Sequence, residues 1–188
     1  TNCDYLLEHQ FLFETLNALQ TSMEALYVRL TLRKMNKQLS QLYIHDSLTG
    51  LYNRMAYEKL AMPLFHQCMQ EKRPVGIMFV DADHLKYIND TFGHDMGNLA
   101  ISSIASVLRQ HCPVESISIR YGGDEFVCVI PDYDKQQIQK LAHTLLDSLE
   151  VFSANSRVGF PIEASIGWVI ADDPGLPLND YINLADEK

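Results

Sequence analysis

Basic residues are scarce in this chain of 188 residues, because 15 lysines and arginines stand against 24 aspartates and glutamates and leave a net charge of -9. A protein that holds nucleic-acid phosphates without sequence preference needs a clustered positive surface. The composition therefore argues against a nucleic-acid partner. Any phosphate ligand should be held by local groups, such as a metal ion, a glycine-rich turn or a single lysine.

The sequence also lacks closely spaced cysteines and long apolar segments. The four cysteines, at positions 3, 68, 112 and 128, are too far apart in sequence for a zinc motif or a disulfide framework, and they favour reduced thiols in the cytoplasm. No window approaches eighteen apolar residues, and no signal-peptide pattern opens the chain. We expect a cytoplasmic domain cut from a longer protein whose membrane anchoring the sequence leaves open.

Proline and glycine are absent from residues 5–44, which predicts one uninterrupted helix. Its apolar residues recur at alternating steps of four and three, the pattern of a coiled-coil seam that pairs two chains. A second seam is displaced by two residues, so the apolar stripe changes face near residues 28–32. A helix packed on its own domain is the alternative. The first seam comprises Leu12, Leu16, Leu19, Met23, Leu26 and Leu30, and the second comprises Val28, Leu32, Met35, Leu39 and Leu42.

Shorter segments follow residue 46 and predict an α+β fold with a mostly antiparallel sheet flanked by helices. We divide the chain into a helical domain, 1–45, and a second domain, 46–188. Strands are predicted at 74–83 and 162–170, with a hairpin at 116–131. Helices are predicted at 53–73, 97–111, 134–150 and 178–188, the first interrupted at Pro63 and the third capped by Asp134. The first helix should bury Met55, Leu60, Leu64 and Cys68, and the second should bury Leu99, Ile101, Ile104, Ala105 and Leu108.

Carboxylates mark the ends of two of these strands. Asp81 and Asp83 close the first strand, and Asp124 lies in the hairpin turn beside Glu125. A hairpin strand next to the first strand would bring Asp81 and Asp124 within reach of one cation. With the backbone carbonyl of Ala82, such hard oxygen ligands suit Mg²⁺ or Mn²⁺. For Asp83 and Glu125, a solvated turn acid is the alternative.

Residues 84–98 connect the two acidic sites. A helix beginning near Gly97 would present free N–H groups to an anion, and Lys86 could neutralise charge on a phosphoryl group. Asn89 and His94 could bond a base or a sugar, although such residues are also common turn formers and surface groups. In the hairpin, Gly122 and Gly123 are expected to supply the φ freedom of a tight turn.

Four sequence blocks together resemble the GGDEF family of diguanylate cyclases, which convert two GTP into cyclic di-GMP and two pyrophosphates. These blocks are "DSLTGLYNR" at 46–54, "DADHLKYINDTFGHDMGN" at 81–98, "RYGGDEF" at 120–126 and "ASIGW" at 164–168. The resemblance implies the palm-type sheet shared with nucleotide cyclases. Because motif matches are hypotheses about structure, each implied residue role below is an expectation.

The resemblance assigns roles position by position. Asp81, the Ala82 carbonyl and Asp124 would bind the metal ions, and Glu125 would accept a proton at the reacting phosphate. Lys86 would steady the transition state. The nucleotide would lie against the backbone of Gly122 and Gly123 and would face Asn89, His94 and Asn98, with Asn89 and Asn98 reading the guanine.

The family reaction needs two domains, because each ribose 3′-hydroxyl attacks the α-phosphate held by the opposite domain. The resemblance therefore implies a homodimer, and we expect the N-terminal helix to form it. A sensor domain is expected upstream in the full-length protein.

Three departures from the family pattern bear on function. Asn98 stands where the family usually has Asp, and an amide cannot accept both adjacent donors of guanine, although it can pair with adenine. We expect relaxed purine selectivity, with weaker use of GTP and some use of ATP. A catalytically weak or inactive nucleotide-binding or dimerisation module is the alternative. In addition, "PVES" at 113–116 replaces the family's inhibitory Arg-x-x-Asp, and the chain stops at Lys188, before the family's phosphate-binding residues of the last helix.

Overall fold

The structure is a computed structural model that describes residues 2–156 and 158–188, with side chains at 16–35, 43–156 and 158–188. It divides into two compact units, with the boundary between Tyr43 and Ile44. Helix α1 runs from Asn2 to Ile44, which confirms the uninterrupted helix. Within the described residues, no helix combines the length and the apolar character needed to cross a membrane.

The described seam residues of α1 are largely exposed. Each of the eight has between 53% and 71% of its surface accessible, with Met23 the most exposed. Large apolar side chains in one stripe on an exposed helix are typical of a surface that pairs with another chain. The coiled coil stays a prediction, and three of its members, Leu12, Leu39 and Leu42, lie outside the described side chains.

The second unit is built on a five-stranded mixed sheet. The strands are β1 (Tyr52–Asn53), β2 (Val75–Ala82), β3 (Ile117–Arg120), β4 (Glu125–Pro131) and β5 (Ala164–Ala171). Their order is β1-β3-β4-β2-β5. The short β1 pairs with β3 in parallel, and every other pairing is antiparallel. The predicted α+β class and mostly antiparallel sheet are therefore confirmed.

Helices cover both faces of the sheet. One face packs against α3 (Leu85–Phe92), α4 (His94–His111) and α5 (Lys135–Asn155), and the other against α2 (Met62–Gln70) and α6 (Leu178–Asp186). Successive residues of a strand point to opposite faces, so a strand covered on both sides must be apolar throughout. Residues 75–80 of β2 are all buried, which explains their continuous apolar run.

Local sequence signals fix two helix starts. The Asp134 carboxylate accepts the Gln137 N–H at 2.8 Å, and the Gln137 side chain accepts the Asp134 N–H at 2.9 Å, so α5 begins with a capping box. Gly93 has φ of +87°, which L side chains rarely adopt, and it separates α3 from α4. The predicted cap at Asp134 is confirmed.

Three expectations about the helices are wrong. A π-helical turn, Tyr57–Ala61, precedes α2 and rotates the chain, so Ala61, Phe65, Cys68 and Met69 are buried, whereas Met55 is 41% exposed and Leu60 and Leu64 only partly buried. On α4, Leu99 is 37% exposed, whereas the other predicted core residues, Ile101, Ile104, Ala105 and Leu108, are buried. The helix also begins earlier than expected. That start is at His94 rather than Gly97, and the Gly97 N–H already bonds to the Gly93 carbonyl.

Candidate active site

An open cleft of about 510 Å³ lies where β2 ends. Asp81 is the last residue but one of β2 and lies opposite Glu125 of β4 and Ser165 of β5. The next residue, Ala82, donates its N–H to the main-chain carbonyl of Asp124 at 3.0 Å. This pairing holds the hairpin turn beside the strand end. As a result, Asp81, Ala82, Lys86 and Asp124 all line the same cleft.

Negative charge accumulates around Asp81. Partial burial and then the neighbouring charges of Asp124, Glu125, Asp83 and Asp186 raise the pKa of Asp81 from 3.8 to about 6. Burial and like charges both penalise the ionised form of a carboxylate. The folded protein therefore assembles more negative charge here than its own side chains neutralise, which is the electrostatic condition for a cation site.

The donor set fits a hard divalent cation. Two carboxylates and a main-chain carbonyl at the strand end offer oxygen ligands only, as Mg²⁺ and Mn²⁺ prefer. Over the part of the chain that the structure describes, no three His, Cys, Asp or Glu side chains form a ready-made metal cluster. Mg²⁺ commonly takes its remaining ligands from water and substrate phosphates, so a site with few protein ligands suits a nucleotide-bound ion.

Asp83 stands apart from this pair although it also lines the cleft. It lies beyond the end of β2, its N–H bonds to the Glu163 carbonyl at 3.0 Å, and its carboxylate accepts the Ser165 hydroxyl at 2.8 Å. Asp81 and Asp83 would point to the same face only if the strand continued to residue 83. Because the strand stops at Ala82, the two carboxylates do not occupy equivalent positions on one face.

The two glycines of the turn do not work as expected. Neither Gly122 nor Gly123 has a positive φ, so the prediction that they supply left-handed backbone is wrong. A Cβ on Gly122 would instead collide with the carboxylate of Glu125, whereas a Cβ on Gly123 would meet open space. The Glu125 side chain folds back over Gly122 and would have to move to make room for a Cβ there.

Arg120 fastens the turn from the side. Its guanidinium donates to the Gly123 carbonyl at 2.6 and 3.2 Å and reaches both Asp46 carboxylate oxygens at 3.3 Å. Asp46 also accepts the N–H and the hydroxyl of Thr49, at 2.9 and 2.7 Å. These contacts join the sequence blocks 46–54 and 120–126. The sequence alone did not predict that these two blocks would be in contact.

The expected base-reading residues lie on α3 and α4, away from the cleft lining. Asn89 is partly buried, and its side-chain amide occupies the space that a Cβ on Gly97 would need. Asn98 follows directly and is exposed, as is His94 at the start of α4. The Asn89 side chain therefore lies where α3 meets α4, and none of Asn89, His94 and Asn98 lines the cleft.

Several residues that line the cleft were not predicted from the sequence, among them a hydroxyl group and two charged groups. Ser165 comes from β5, and Asp186 and Lys188 come from the end of α6. The Lys188 ammonium lies 6.0 Å from the centre of the Trp168 ring. The sequence pattern predicted a helix at 178–188 but not its position. The pairing of β5 with β2 in the structure shows that this helix ends at the cleft.

The geometry agrees with the outcome of comparisons with known proteins. The family described as "Diguanylate cyclase, GGDEF domain" matches residues 43–188. A bifunctional diguanylate cyclase/cyclic di-GMP phosphodiesterase, MucR of Pseudomonas aeruginosa, is 31% identical over 83% of this chain and 23% of its own length. The diguanylate cyclase VdcA of Vibrio cholerae is 33% identical over 84% of this chain and 47% of its length. The chain thus spans less than half of these relatives.

Solved structures share the fold. The coiled coil and GGDEF domain of DgcB from Caulobacter crescentus, in complex with c-di-GMP, aligns with a TM-score of 0.77 at 23% identity, covering 92% of this chain and 91% of that one. A sensory box/GGDEF family protein from Caulobacter crescentus aligns with a TM-score of 0.64 at 26% identity, covering 77% and 94%. The expected GGDEF-type fold is confirmed.

Proposed function

Since this chain belongs to the GGDEF family of diguanylate cyclases, we propose that it condenses two GTP molecules into cyclic di-GMP with release of two pyrophosphates. The observation that supports this most directly is the placement of Asp81 and Asp124 in one cleft beside the glycine turn. Lys86 and Lys188 line the same cleft and are the cations available to a triphosphate. An upstream sensor in the longer protein would set when the domain works.

Residues of the cleft and of the adjoining turn have separate roles in the proposed phosphoryl transfer. Asp81, Asp124 and the Ala82 carbonyl would hold Mg²⁺ or Mn²⁺, which supplies positive charge at the phosphate oxygens when bound. Lys86 stabilises the charge that develops on the transferring phosphoryl group. Glu125, folded over Gly122, receives the proton of the attacking 3′-hydroxyl. The open surface at Gly123 lets backbone approach the nucleotide.

Two copies of the chain are needed to close the ring. Each domain holds one GTP, and each 3′-oxygen attacks the α-phosphate in the partner domain as pyrophosphate leaves. The exposed apolar stripe of α1 is the surface we assign to pairing, because its described members are more than half accessible. Turnover per chain should therefore depend on protein concentration below the dimerisation constant.

The test is turnover by the full-length protein. Incubation with Mg²⁺ and GTP should yield one cyclic di-GMP for every two pyrophosphates, and Asp124→Asn should reduce the rate by about 100-fold or more. Asp147→Asn, which removes an exposed acid of α5, is the matched control and should retain the rate. GTP binding without either product, at concentrations where the protein is dimeric, would contradict the proposal.

A catalytically weak nucleotide-binding module is the second candidate, and Asn98 is the observation that favours it. An amide presents one acceptor and one donor, whereas guanine offers two adjacent donors. A mismatched polar contact costs about 1–3 kcal/mol, or roughly one to two decades in specificity. Retained nucleotide binding together with loss of turnover from both GTP and ATP would favour this candidate.

The same residue decides purine selectivity. We propose that the ratio of GTP to ATP turnover is low in this chain and rises about 10-fold to 100-fold in Asn98→Asp. Competing turnover of the two nucleotides in one mixture measures the ratio directly. Asn155→Asp, which places the same new charge on an exposed residue at the end of α5, controls for charge alone. An unchanged ratio in Asn98→Asp would overturn the assignment.

A further inference from the structure

Two cysteines that are distant in sequence meet on the sheet face opposite α2 and α6. Cys128 lies in the middle of β4 and is fully buried, and Cys112 directly follows α4 and packs against the cluster that contains Cys128. The two thiols lie within interaction range of each other and of the Ser118 hydroxyl. Ser118 lies directly opposite Cys128 in the β3–β4 pairing, which fixes all three groups in place.

A cavity gives small molecules access to this group. It has a volume of about 260 Å³ and is lined by Cys112 and Ser118 together with residues of the loop after α1 and the end of α4. Cys112 is partly buried, whereas Cys128 lies behind it with no exposed surface. An oxidant that enters the cavity therefore meets Cys112, whereas Cys128 does not line the cavity and is fully buried.

The two thiols also differ in acidity. Hydrogen bonds from Cys128 and Ser118 lower the pKa of Cys112 in spite of its burial, while the contact with Cys112 and burial raise the pKa of Cys128. A thiolate is the reactive form of cysteine, and a thiol held beside it can resolve the oxidised product. This division matches the order in which the cavity exposes the two sulfurs.

We propose that Cys112 and Cys128 form a site of reversible oxidation, closing to an intramolecular disulfide when the protein meets hydrogen peroxide. The Cys112 thiolate attacks one peroxide oxygen, the O–O bond breaks, and hydroxide leaves as the sulfenic acid forms. The Cys128 thiol then attacks that sulfur, the S–S bond forms, and water leaves. In total, two thiols lose two electrons and two protons, and one peroxide becomes two waters. A dithiol reductant reverses the reaction by exchange.

The consequence is a covalent link between α4 and the hairpin that carries Asp124. Disulfides in cytoplasmic proteins are mostly transient and redox-sensing, so a pair that is reduced at rest fits the expected compartment. The cross-link restricts the unfolded chain, and the thermal midpoint of the oxidised protein should rise by several degrees.

Tryptic digestion separates the two cysteines cleanly. Cleavage after Arg109, Arg120 and Lys135 places Cys112 in peptide 110–120 and Cys128 in peptide 121–135, while Cys68 falls in a third peptide, 60–72. After peroxide treatment, alkylation of remaining thiols and digestion without reductant, mass spectrometry should find 110–120 joined to 121–135. This product should exceed any joined product that contains Cys68 by about tenfold or more.

Cys68→Ser is the matched control, because Cys68 is also buried but packs against the opposite face of the sheet. It should leave the joined peptide unchanged. Cys112→Ser, a replacement at the partly exposed member of the pair, should abolish the joined peptide and the rise in thermal midpoint. Dithiothreitol should restore both alkylated peptides in the wild-type chain.

Two results would overturn the proposal. One is recovery of peptides 110–120 and 121–135 separately after peroxide has oxidised Cys112 to its sulfinic acid, since resolution by Cys128 should be faster. The other appears when heavy-nitrogen-labelled and unlabelled chains are mixed before oxidation. Joined peptides with one labelled and one unlabelled partner would show a link between chains instead of within one.

Discussion

Asp81 is the single residue that tests the proposed cation site most directly, because its surroundings disfavour its ionised form. Its pKa of about 6 reflects burial and four neighbouring carboxylates. At neutral pH and without a cation, the ionised form destabilises the fold, because the folded protein binds the Asp81 proton more tightly than the unfolded chain does.

Removing this charge should stabilise the metal-free protein. We expect Asp81→Asn to raise the unfolding free energy at neutral pH by up to about 1 kcal/mol, after allowing for solvent screening of a partly exposed group. The same variant should lose the rise in thermal midpoint that Mg²⁺ gives the wild type. Thermal unfolding with and without Mg²⁺ measures both effects, and a variant that still responds to Mg²⁺ would show that Asp81 is not a ligand.

Asp46 predicts the opposite pH dependence. Burial raises its pKa, but the hydrogen bonds from Thr49 and the charge of Arg120 lower it by more, so the net pKa lies below 3.8. A lowered carboxylate pKa stabilises the fold above the unfolded pKa, and this contribution disappears as pH falls through the folded value.

The unfolding free energy of Asp46→Asn should therefore be about 1 kcal/mol lower than that of the wild type at neutral pH. The difference should become smaller at about pH 3, because the wild-type carboxylate then becomes protonated. Urea unfolding at the two pH values measures the difference. A difference of equal size at both would mean that hydrogen bonding, and not the charge of Asp46, carries the contribution.

At the scale of elements, the β3–β4 hairpin depends on one side chain next to its turn. Arg120 holds the Gly123 carbonyl and Asp46 together, and its side chain is only 19% exposed. Arg120→Ala should lower the unfolding free energy by about 1–3 kcal/mol, because charged hydrogen bonds to a partly buried group are lost. It should also reduce cyclic di-GMP formation, since the turn carries Asp124.

Arg73→Ala supplies the comparison. Arg73 also bonds two acids, Glu71 and Asp132, but these groups are considerably more exposed. Exposed ion pairs contribute little to stability, so this variant should lower the unfolding free energy much less than Arg120→Ala does and leave turnover intact. Equal losses in the two variants, measured by urea unfolding, would contradict the assignment of Arg120 to the turn.

The sequence predicted the elements better than their faces. The apolar run of β2 and the Asp134 cap are strong local signals, and both predictions are confirmed. The predicted interruption at Pro63 is confirmed, since α2 begins at Met62 with Pro63 in its first turn, but the buried face was predicted wrongly because the π-helical turn before α2 shifts the residue period. The φ values at Gly122 and Gly123 were also predicted wrongly, since glycine adopts both positive and negative φ and its presence alone does not fix the turn geometry.

At the scale of the whole molecule, activity should depend on α1. Met23→Asp places a charge in the exposed apolar stripe and should shift the protein from dimer to monomer and reduce turnover per chain by about tenfold or more at low concentration. Asn17→Asp adds the same charge on a polar, exposed position of the helix and should do neither. Analytical ultracentrifugation and turnover across a range of protein concentrations measure both. Full activity from a monomeric Met23→Asp would refute the role of the stripe.

The sequence did not predict which distant segments pair to complete the cleft. Asp81 and Asp124 were expected to meet, and the structure places both in one cleft, but Ser165, Asp186 and Lys188 reach that cleft only through the β2–β5 pairing and the path of α6. Nothing local in residues 178–188 indicates where their helix will end. Contacts between distant segments depend on topology, and single-sequence patterns carry little information about it.

Gly167 has no side chain that could bind or react, yet it constrains the structure of the cleft that it lines. A Cβ at this position would collide with the Ala185 carbonyl of α6, so α6 can approach β5 only because that carbon is absent. The same helix delivers Asp186 and Lys188 to the cleft one residue and three residues later. Natural variation should therefore treat position 167 as strictly as it treats the carboxylates: lineages that keep the cleft should keep this glycine, although it has no side chain to contribute to the chemistry.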